Sequence, residues 1–481
     1  MPKTRRPLAV AAILLSMFMA ALEATVVATA MPTVVGDLGG IELYGWVGSV
    51  YMVASTVTIP LYGKLADLYG RKPTIFLGLA LFLIGSMASG LARSMTQLIV
   101  FRALQGVGAG GMQPVAITIV GDLFTVEERG KIQGLFGAVW GVAGMAGPLV
   151  GGLIVHALSW RWVFYINVPF GVLSAAMLGA FFHEDIEKKP HQLDVLGATL
   201  LASAILSLLL GASNVHPAVT LTLAAVTLAA FMWVETRAKE PILPLGLLRQ
   251  RIIASANFAG ALLGALMMST VTYVPLFVQA VLGGTPTEAG TAVAPMLVGW
   301  PIASAVSGRL MTRIGMRPLV RVGAIVAAAA SLLVVTTLHE GASLFPVRAA
   351  MFLLGIGMGT ANTSLLIAVQ QSVSWQQRGV ATASSMFFRT IGGALAVGIL
   401  GALLARALGP DVPTALVNEL LGPTHGRKLD PALIAPLASL LDGGLRTVFQ
   451  VIAGIGVCGL VAGLVFPRVE VTPPPATRTA A

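Results

Sequence analysis

Glu23 and Arg102 are charged residues inside long apolar stretches of this chain, where charge is costly. Of the 20 carboxylates, Glu23 alone falls near the middle of a predicted membrane span, in the segment ALEATVVATAMP. Low dielectric disfavours the charged form of a carboxyl group, which suits it to reversible protonation near neutral pH. The sequence therefore predicts that Glu23 carries protons. A structural Glu that stays protonated or hydrogen-bonded is the alternative.

Arg102 belongs to a polar stripe on another predicted span. Arg102, Gln105, Ala109 and Gln113 are separated by three, four and four residues, so they share one face of a helix. At 1.5 Å per residue, Arg102 lies about 12 Å inside the outer boundary of its span. An arginine at that depth costs at least ~2.5 kcal/mol unless it faces protein or water. Arg102 must face the interior of a bundle, either as an electrostatic partner of a proton-carrying acid or as a structural residue bonded to backbone carbonyls.

Composition identifies the helices that must position these residues as membrane spans. The 481 residues are 56% hydrophobic and 10% charged, with a mean hydropathy of +0.87, which is too apolar for a soluble core. The single cysteine, Cys458, excludes an internal disulfide, and no metal site or cofactor is expected. A GxxxxGK[ST] loop is absent, so ATP is not the expected energy source.

Fourteen apolar stretches are predicted to cross the membrane, which gives an all-α polytopic fold, and most contain the roughly 20 residues that a span needs. The predicted spans are 8–36, 42–66, 73–92, 95–123, 130–157, 160–182, 193–212, 217–235, 252–282, 287–311, 317–338, 345–372, 379–406 and 443–467. The first of these is too long for the apolar region of a signal peptide.

Lysine and arginine predict the orientation of these spans. With the N-terminus in the cytoplasm, 21 of the 30 basic residues map to cytoplasmic segments, seven to outer segments and two, Arg102 and Arg389, to spans. This distribution follows the positive-inside rule. The net charge of +10 is therefore explained by topology, and nucleic acid is not an expected partner.

An internal repeat divides the chain. The segment GKLADLYGRKP at Gly63–Pro73 returns at Gly308–Pro318 as GRLMTRIGMRP, between spans 2 and 3 and again between spans 10 and 11. Two similar bundles that rock about a site between them are typical of transporters. The predicted units are a six-helix bundle at 1–182, two additional helices with cytoplasmic linkers at 183–251, a second six-helix bundle at 252–467 and a disordered cytoplasmic tail at 468–481.

At these residues the chain resembles the major facilitator superfamily, and specifically its fourteen-helix drug:proton antiporter branch of the EmrB/QacA type. The resemblance extends over essentially the whole chain. It includes the first loop, LIVFRALQGVGAGGMQP in span 4, and Glu23, where the family typically has Asp. The second loop departs further, with Thr312 for the Asp and Met316 for the Arg.

The resemblance implies that the first loop takes part in conformational gating. Its glycines allow a tight turn, while Asp67 has the chemistry to cap a helix N-terminus or pair with an arginine. A charged loop that only sets topology is the alternative. The predicted gating residues are Gly63, Asp67, Gly70, Arg71, Lys72 and Arg129.

Span 5 carries small residues at three-or-four spacing, in GAVWGVAGMAGPLVGGLI. Such a strip allows another helix to pack closely, and Pro148 should bend the helix. The strip resembles the signature that the superfamily associates with exporters. The predicted packing residues are Gly137, Gly141, Gly144, Gly147, Pro148 and Gly151.

Polar and aromatic residues within spans are candidates for the substrate cavity, although each could equally link helices or face lipid. They are Gln105, Gln113, Trp140, Asn257, Trp300, Asn362 and Arg389. The outer segment 407–442 is proline-rich and is expected to hold short interfacial helices around 412–421 and 431–441. A plain connector is favoured for it over a lid or a docking surface.

Together these features predict a non-enzymatic, proton-coupled exporter of amphiphilic small molecules that works by alternating access, with Glu23 as carrier and Arg102 as modulator. The expected location is the bacterial cytoplasmic membrane, with both termini in the cytoplasm. Whether an accessory periplasmic protein takes part is left open. Export of a lipid or secondary metabolite, an uptake porter and a non-transporting receptor remain alternatives.

Overall fold

The regular secondary structure of the described residues is helical. The computed structural model describes residues 4–39, 43–184, 194–212, 216–339, 341–409 and 431–468. The helices are α1 Arg6–Leu38, α2 Tyr44–Tyr69, α3 Arg71–Gly90, α4 Met95–Leu123, α5 Val126–Ala157, α6 Trp162–Tyr165, α7 Asn167–Phe181, α8 Val195–Ala212, α9 Pro217–Glu235, α10 Leu245–Leu248, α11 Arg251–Ala280, α12 Pro286–Ile314, α13 Met316–Thr337, α14 Leu344–Gln371, α15 Arg378–Leu408 and α16 Pro431–Val465.

Twelve helices within the described ranges are long and apolar enough to cross a membrane. A thirteenth candidate is α5, which bends by 41° between Gly144 and Leu149, at the place where Pro148 is expected to bend it. Helix α2 has 26 residues but is not among these candidates. The count by length and composition is therefore twelve or thirteen, and the expected fourteen is not established by it.

The last helix corrects one expectation. The short helix predicted around 431–441 is continuous with the last span in α16, so a separate interfacial helix there is wrong. Pro436 lies inside α16 near its start, where a proline removes only one intrahelical hydrogen bond. The helix predicted around 412–421 lies outside the described residues.

Two groups of helices pack mainly among themselves. In the first, α4 packs against α2 and α3, and α1 packs against α5 and α7. In the second, α14 packs against α12 and α13, while α16 packs against α11 and α13. We call these groups, α1–α7 and α11–α16, the N bundle and the C bundle. Between them in sequence, α8 and α9 form a hairpin whose helix α8 contacts α2 and α15.

The sequence repeat produces the same tight turn in both bundles. Gly70 separates α2 from α3 with φ +100°, and Gly315 separates α12 from α13 with φ +79°. L side chains rarely adopt these backbone angles, which explains glycine at both positions. We call the end of the molecule where Gly70 and Gly315 lie the loop face, and the other end the opposite face.

Candidate functional site

Glu23 and Arg102 form a buried ion pair inside the N bundle. Glu23 lies near the middle of α1 and is 1% exposed, while Arg102 lies on α4 and is 3% exposed. The Nη1 atom of Arg102 donates a hydrogen bond to Oε1 of Glu23. The two charged residues that the sequence singled out are thus in direct contact, as expected for charges that must find a partner away from water.

The guanidinium of Arg102 is held by three further groups. Its Nη1 donates to Oε1 of Gln105 at 2.7 Å, and its Nε donates to the carbonyl of Val47 at 3.4 Å. The ring of Tyr51 lies 4.2 Å from the guanidinium carbon, in the geometry of a cation–π contact. Arg102 therefore has both kinds of partner considered from the sequence, an acid and a backbone carbonyl.

Asn167 is a further residue of this site, and the sequence reasoning missed it. Its Nδ2 donates to Oε2 of Glu23 and also to Oγ of Ser86 at 3.0 Å. Ser86 in turn donates to the carbonyl of Phe164 at 2.8 Å. The segment SWRWVFYINVP offered a signal, since Asn167 is a polar residue at the start of a long apolar run. Each oxygen of Glu23 thus accepts a hydrogen bond from a different helix.

A second cluster lies at the loop face and joins the two bundles. The carboxylate of Asp67, at the end of α2, accepts hydrogen bonds from the backbone N–H of Gly379 at 2.8 Å and of Val380 at 2.7 Å. These N–H groups are in the first turn of α15, where N–H groups have no intrahelical partner and the helix dipole favours negative charge. Asp67 therefore caps a helix of the other bundle.

Arg71 extends the cluster from the N bundle. It is fully buried, and its Nη2 donates to the carbonyl of Trp375 at 2.8 Å, across the bundle boundary. Its Nε donates to Asp122 at 2.9 Å. Arg378 of the C bundle donates to the other oxygen of Asp122 at 2.6 Å. One carboxylate thus holds an arginine from each bundle.

Arg129 and Lys72, also predicted to take part in gating, make different contacts. Arg129 donates to the carbonyls of Gly121 and Phe124 in its own bundle, and its Nη1 lies 3.5 Å from Oε1 of Gln370 in the C bundle. Among the described residues, the Nζ of Lys72 donates to two carbonyls at the end of α7, at 2.6 and 2.9 Å. Lys72 therefore fastens α3 to α7 and does not cross between the bundles.

Glu184 closes the same end of the N bundle. One of its oxygens accepts a hydrogen bond from the backbone N–H of Lys72 at 2.9 Å. Burial raises the pKa of Glu184, against the lowering effects of that hydrogen bond and of the Arg71 charge. The loop face thus contains buried charges of both signs within a few ångström of each other.

Glycines allow the two bundles to touch at the loop face. Gly63 packs against Gly379 and Ala383, and Gly130 packs against Gly308, so closely that an added Cβ would overlap the opposing helix. Gly63 and Gly308 are equivalent in the sequence repeat. The two crossings, α2 with α15 and α5 with α12, are therefore related by the internal symmetry. The symmetry does not extend to the polar contacts: Thr312, which is equivalent to Asp67, donates to the carbonyl of Arg309 in its own helix.

The gap between α5 and α12 widens away from the loop face. A Cβ added at Gly134 would lie 2.8 Å from the carbonyl oxygen of Pro301, and one at Gly137 would lie 3.1 Å from Pro301 Cγ. At Gly141 and Gly144 the nearest atoms, from Leu297, would be 3.5 and 3.8 Å away. The two helices thus diverge toward the opposite face.

The small-residue strip of α5 changes partner along its length. Gly137, Gly141 and Gly144 face α12, whereas Gly147 and Gly151 pack tightly against Thr25 and Thr29 of α1. Close packing against the strip thus involves two helices, α12 for the first part and α1 for the second. The bend between Gly144 and Leu149 separates the two parts.

The residues predicted to line a substrate cavity are found in several places. Gln105 is fully buried against Arg102, and Asn257 is buried on α11, where its Nδ2 donates to Ser384 at 2.8 Å. Trp140 is exposed on α5, while Gln113 and Trp300 are half-buried. Arg389 and Asn362 are brought together across α15 and α14, with Nη1 donating to Oδ1 at 3.1 Å.

At the opposite face a carboxylate bonds within the N bundle. Asp37, near the end of α1, accepts hydrogen bonds from Trp160 Nε1 and Arg161 Nη1, both at 2.9 Å. These hydrogen bonds lower the pKa of Asp37. Asp37 therefore differs from Asp67 in that its partners belong to the same bundle.

Comparison with known proteins gives consistent matches. The sequence profile of the Major Facilitator Superfamily matches residues 13–397. The Multidrug transporter protein MdtP of Bacillus subtilis is 38% identical over 427 residues, which are 87% of this chain and 79% of that protein. Multidrug resistance protein 3 of the same organism is 37% identical over 398 residues, which are 81% of this chain and 78% of that protein. The crystal structure of the human organic anion transporter MFSD10 (TETRAN) has the same fold, with a TM-score of 0.65 at 15% identity, over 96% of this chain and all of that one.

Proposed function

The chain belongs to the Major Facilitator Superfamily, and we propose that it is a proton-coupled antiporter that exports amphiphilic organic compounds by alternating access. Two relatives, 38% and 37% identical over the aligned residues, are named as a multidrug transporter and a multidrug resistance protein, which supports export of small organic molecules. No enzymatic step is required of it.

The observation that carries the proposal is the buried contact of Glu23 with Arg102 and Asn167. A carboxylate that is 1% exposed in the middle of a span is costly, so its presence there favours a functional role. Two donors stabilise its charged form, while burial favours its neutral form. A modest change in helix packing around Glu23 therefore suffices to bind or release a proton. Proton binding is coupled to conformation in this way.

The contacts between the bundles support alternating access. The bundles touch at the loop face through glycine crossings and through Asp67 and Arg71, and α5 and α12 diverge from there. We infer that this is the state open toward the opposite face. Export requires the loop-face contacts to break so that the substrate enters from that side.

The proposed topology has fourteen spans with the loop face in the cytoplasm. It counts α2 and the bent α5 as spans, because α2 packs between α4 of the N bundle and α15 of the C bundle. The 21 basic residues on the cytoplasmic side of this arrangement support the orientation. Both termini then lie on the cytoplasmic side of a bacterial cytoplasmic membrane. The first six and last six spans form the two bundles, and α8 and α9 are the two additional spans.

The proposal is tested in vesicles containing the purified protein. The probes are ethidium, a dansyl-labelled undecanoic acid and the primary amide of that acid. We expect a pH gradient that drives protons inward to concentrate at least one probe outside, and dissipation of the gradient to abolish that accumulation. Probe flux that does not depend on the pH gradient or on the membrane potential would contradict proton antiport.

A further inference from the structure

Arg389 is a membrane-embedded cation that the proton-coupling site does not use. It lies on α15 and is half-buried, and its guanidinium donates to the neutral amide oxygen of Asn362 at 3.1 Å. A carbonyl acceptor of this kind orients a guanidinium but does not neutralise its charge. An arginine within a span is costly unless its charge faces water or a counter-charge.

Three other arginines between the helices have such a counter-charge. Arg71 and Arg378 share Asp122, and Arg102 pairs with Glu23. Within the described part of the chain, no carboxylate forms a salt bridge with Arg389. The one carboxylate in the middle of a span, Glu23, already accepts hydrogen bonds from Arg102 and Asn167.

The position of Arg389 on α15 is fixed by close packing. A Cβ at Gly264 of α11 would overlap the carbonyl oxygen of Arg389, so the two backbones touch there. On the loop-face side, residues 379–387 of α15 are buried, whereas residues 388–392 are half-buried. Arg389 therefore lies where α15 leaves the tightly packed region between the bundles.

The internal repeat has an aromatic residue, Trp140, at the position equivalent to this cation. Arg378 and Arg129 each directly precede a glycine at which the two bundles cross. Arg389 follows Arg378 by eleven residues, and Trp140 follows Arg129 by the same number. Trp140 is exposed, next to Gly141, where α5 and α12 have begun to diverge. Equivalent positions of the two bundles thus offer a cation and an aromatic surface.

We propose that Arg389 receives the anionic group of the exported compound, so that the substrate class is amphiphilic carboxylates whose apolar part packs near Trp140. This inference rests on the proposed export function. Arg389 supplies N–H donors in a planar arrangement that matches a carboxylate, and Asn362 holds it in place. The carboxylate balances a charge for which the described part of the chain supplies no salt-bridge partner.

The test compares two probes that differ only in charge. Dansyl-labelled undecanoic acid and its primary amide are titrated into the full-length protein in nanodiscs, with empty nanodiscs as the blank. We expect the wild-type protein to bind the acid at least tenfold more tightly than the amide. In Arg389→Gln this preference should fall to about one, and in Arg389→Lys it should be retained in part.

Arg406→Gln is the matched control, because it makes the same charge change at an exposed position of the same helix, and it should keep the wild-type preference. The proposal is overturned if the wild-type protein does not distinguish acid from amide, or if Arg389→Gln keeps the preference. The wild-type comparison decides even if the variant does not fold. Gradient-driven export of ethidium or of the amide without a preference for the acid would reject the anion site and leave the export function standing.

Discussion

Asp67 of the N bundle accepts a 2.8 Å hydrogen bond from the backbone N–H of Gly379, at the first turn of α15 in the C bundle. The two residues are 312 positions apart in the chain. The contact forms only when the loop face is closed, since it joins helix ends that belong to different bundles. In the proposed alternating-access cycle, its strength therefore contributes to the equilibrium between the state closed at the loop face and the state open there.

Asp67→Asn should shift that equilibrium toward the state open at the loop face. Hydrogen bonds to charged groups contribute about 1.5–3 kcal/mol, and the asparagine keeps the size of the side chain without its charge. We expect a population shift of roughly tenfold or more and slower transport. Spin labels at Lys131 and Arg313, with Cys458 changed to Ser, report the distance between the bundles by electron–electron resonance.

Asp37→Asn is the control for this experiment. Asp37 also accepts two hydrogen bonds, but both come from side chains of its own bundle at the opposite face. We expect its distance distribution to match that of the parent protein. If Asp67→Asn has the same distance distribution and the same transport rate as the parent protein, Asp67 has no gating role.

Gly134→Ala should hinder closure of the loop face more than Gly144→Ala. A methyl group at Gly134 would press on the backbone carbonyl of Pro301, whereas the same group at Gly144 would make ordinary contact with Leu297. Overpacking typically costs about 1–3 kcal/mol, and here it acts on one state only. Transport rates at matched membrane levels measure the difference, and equal rates in the two variants would show that α5 and α12 need not approach.

Asn167→Ala should change the pH dependence of transport without abolishing it. The substitution removes one of two donors to the Glu23 carboxylate, which favours its protonated form. A hydrogen bond to a charged group contributes about 1.5 kcal/mol or more, and one pH unit corresponds to about 1.4 kcal/mol. We therefore expect the pH of half-maximal transport to rise by about one unit. Rates measured across a pH series test this.

Ser174→Ala provides the matched control on the same helix. Ser174 is also fully buried on α7, but it donates to the carbonyl of Ala12 and does not contact Glu23. Its pH profile should stay at the wild-type position. Identical profiles for the Asn167 and Ser174 variants would exclude a specific role for Asn167.

The sequence was sufficient to predict contacts that follow from the cost of charge. Glu23 and Arg102 lie in apolar stretches, and a pair of opposite charges in such surroundings is expected to meet. The glycine turns at Gly70 and Gly315 were predictable for a similar reason, because the repeat and the residue type both indicate the same backbone geometry. Their functional roles stay predictions.

Other features depend on how helices cross, which local patterns do not determine. Asn167 reaches Glu23 only because α7 packs against α1, and the sequence presents it merely as a polar residue after aromatic ones. The glycine strip of α5 predicts close packing but does not predict which helix each glycine contacts. In the structure Gly144 faces α12, whereas Gly147 faces α1. That change depends on the 41° bend and on the positions of two other helices.

Proton release on substrate binding by the Glu23→Gln variant tests the central claim most directly. Glutamine keeps the size and hydrogen-bonding capacity of the side chain but cannot ionise. With wild-type protein in weakly buffered detergent solution, addition of a probe that the vesicle assay shows to be exported should release protons. In Glu23→Gln the probe should still bind while proton release is lost, and vesicles should no longer concentrate the probe against its gradient. Undiminished proton release and uphill transport by Glu23→Gln would show that another group carries the proton.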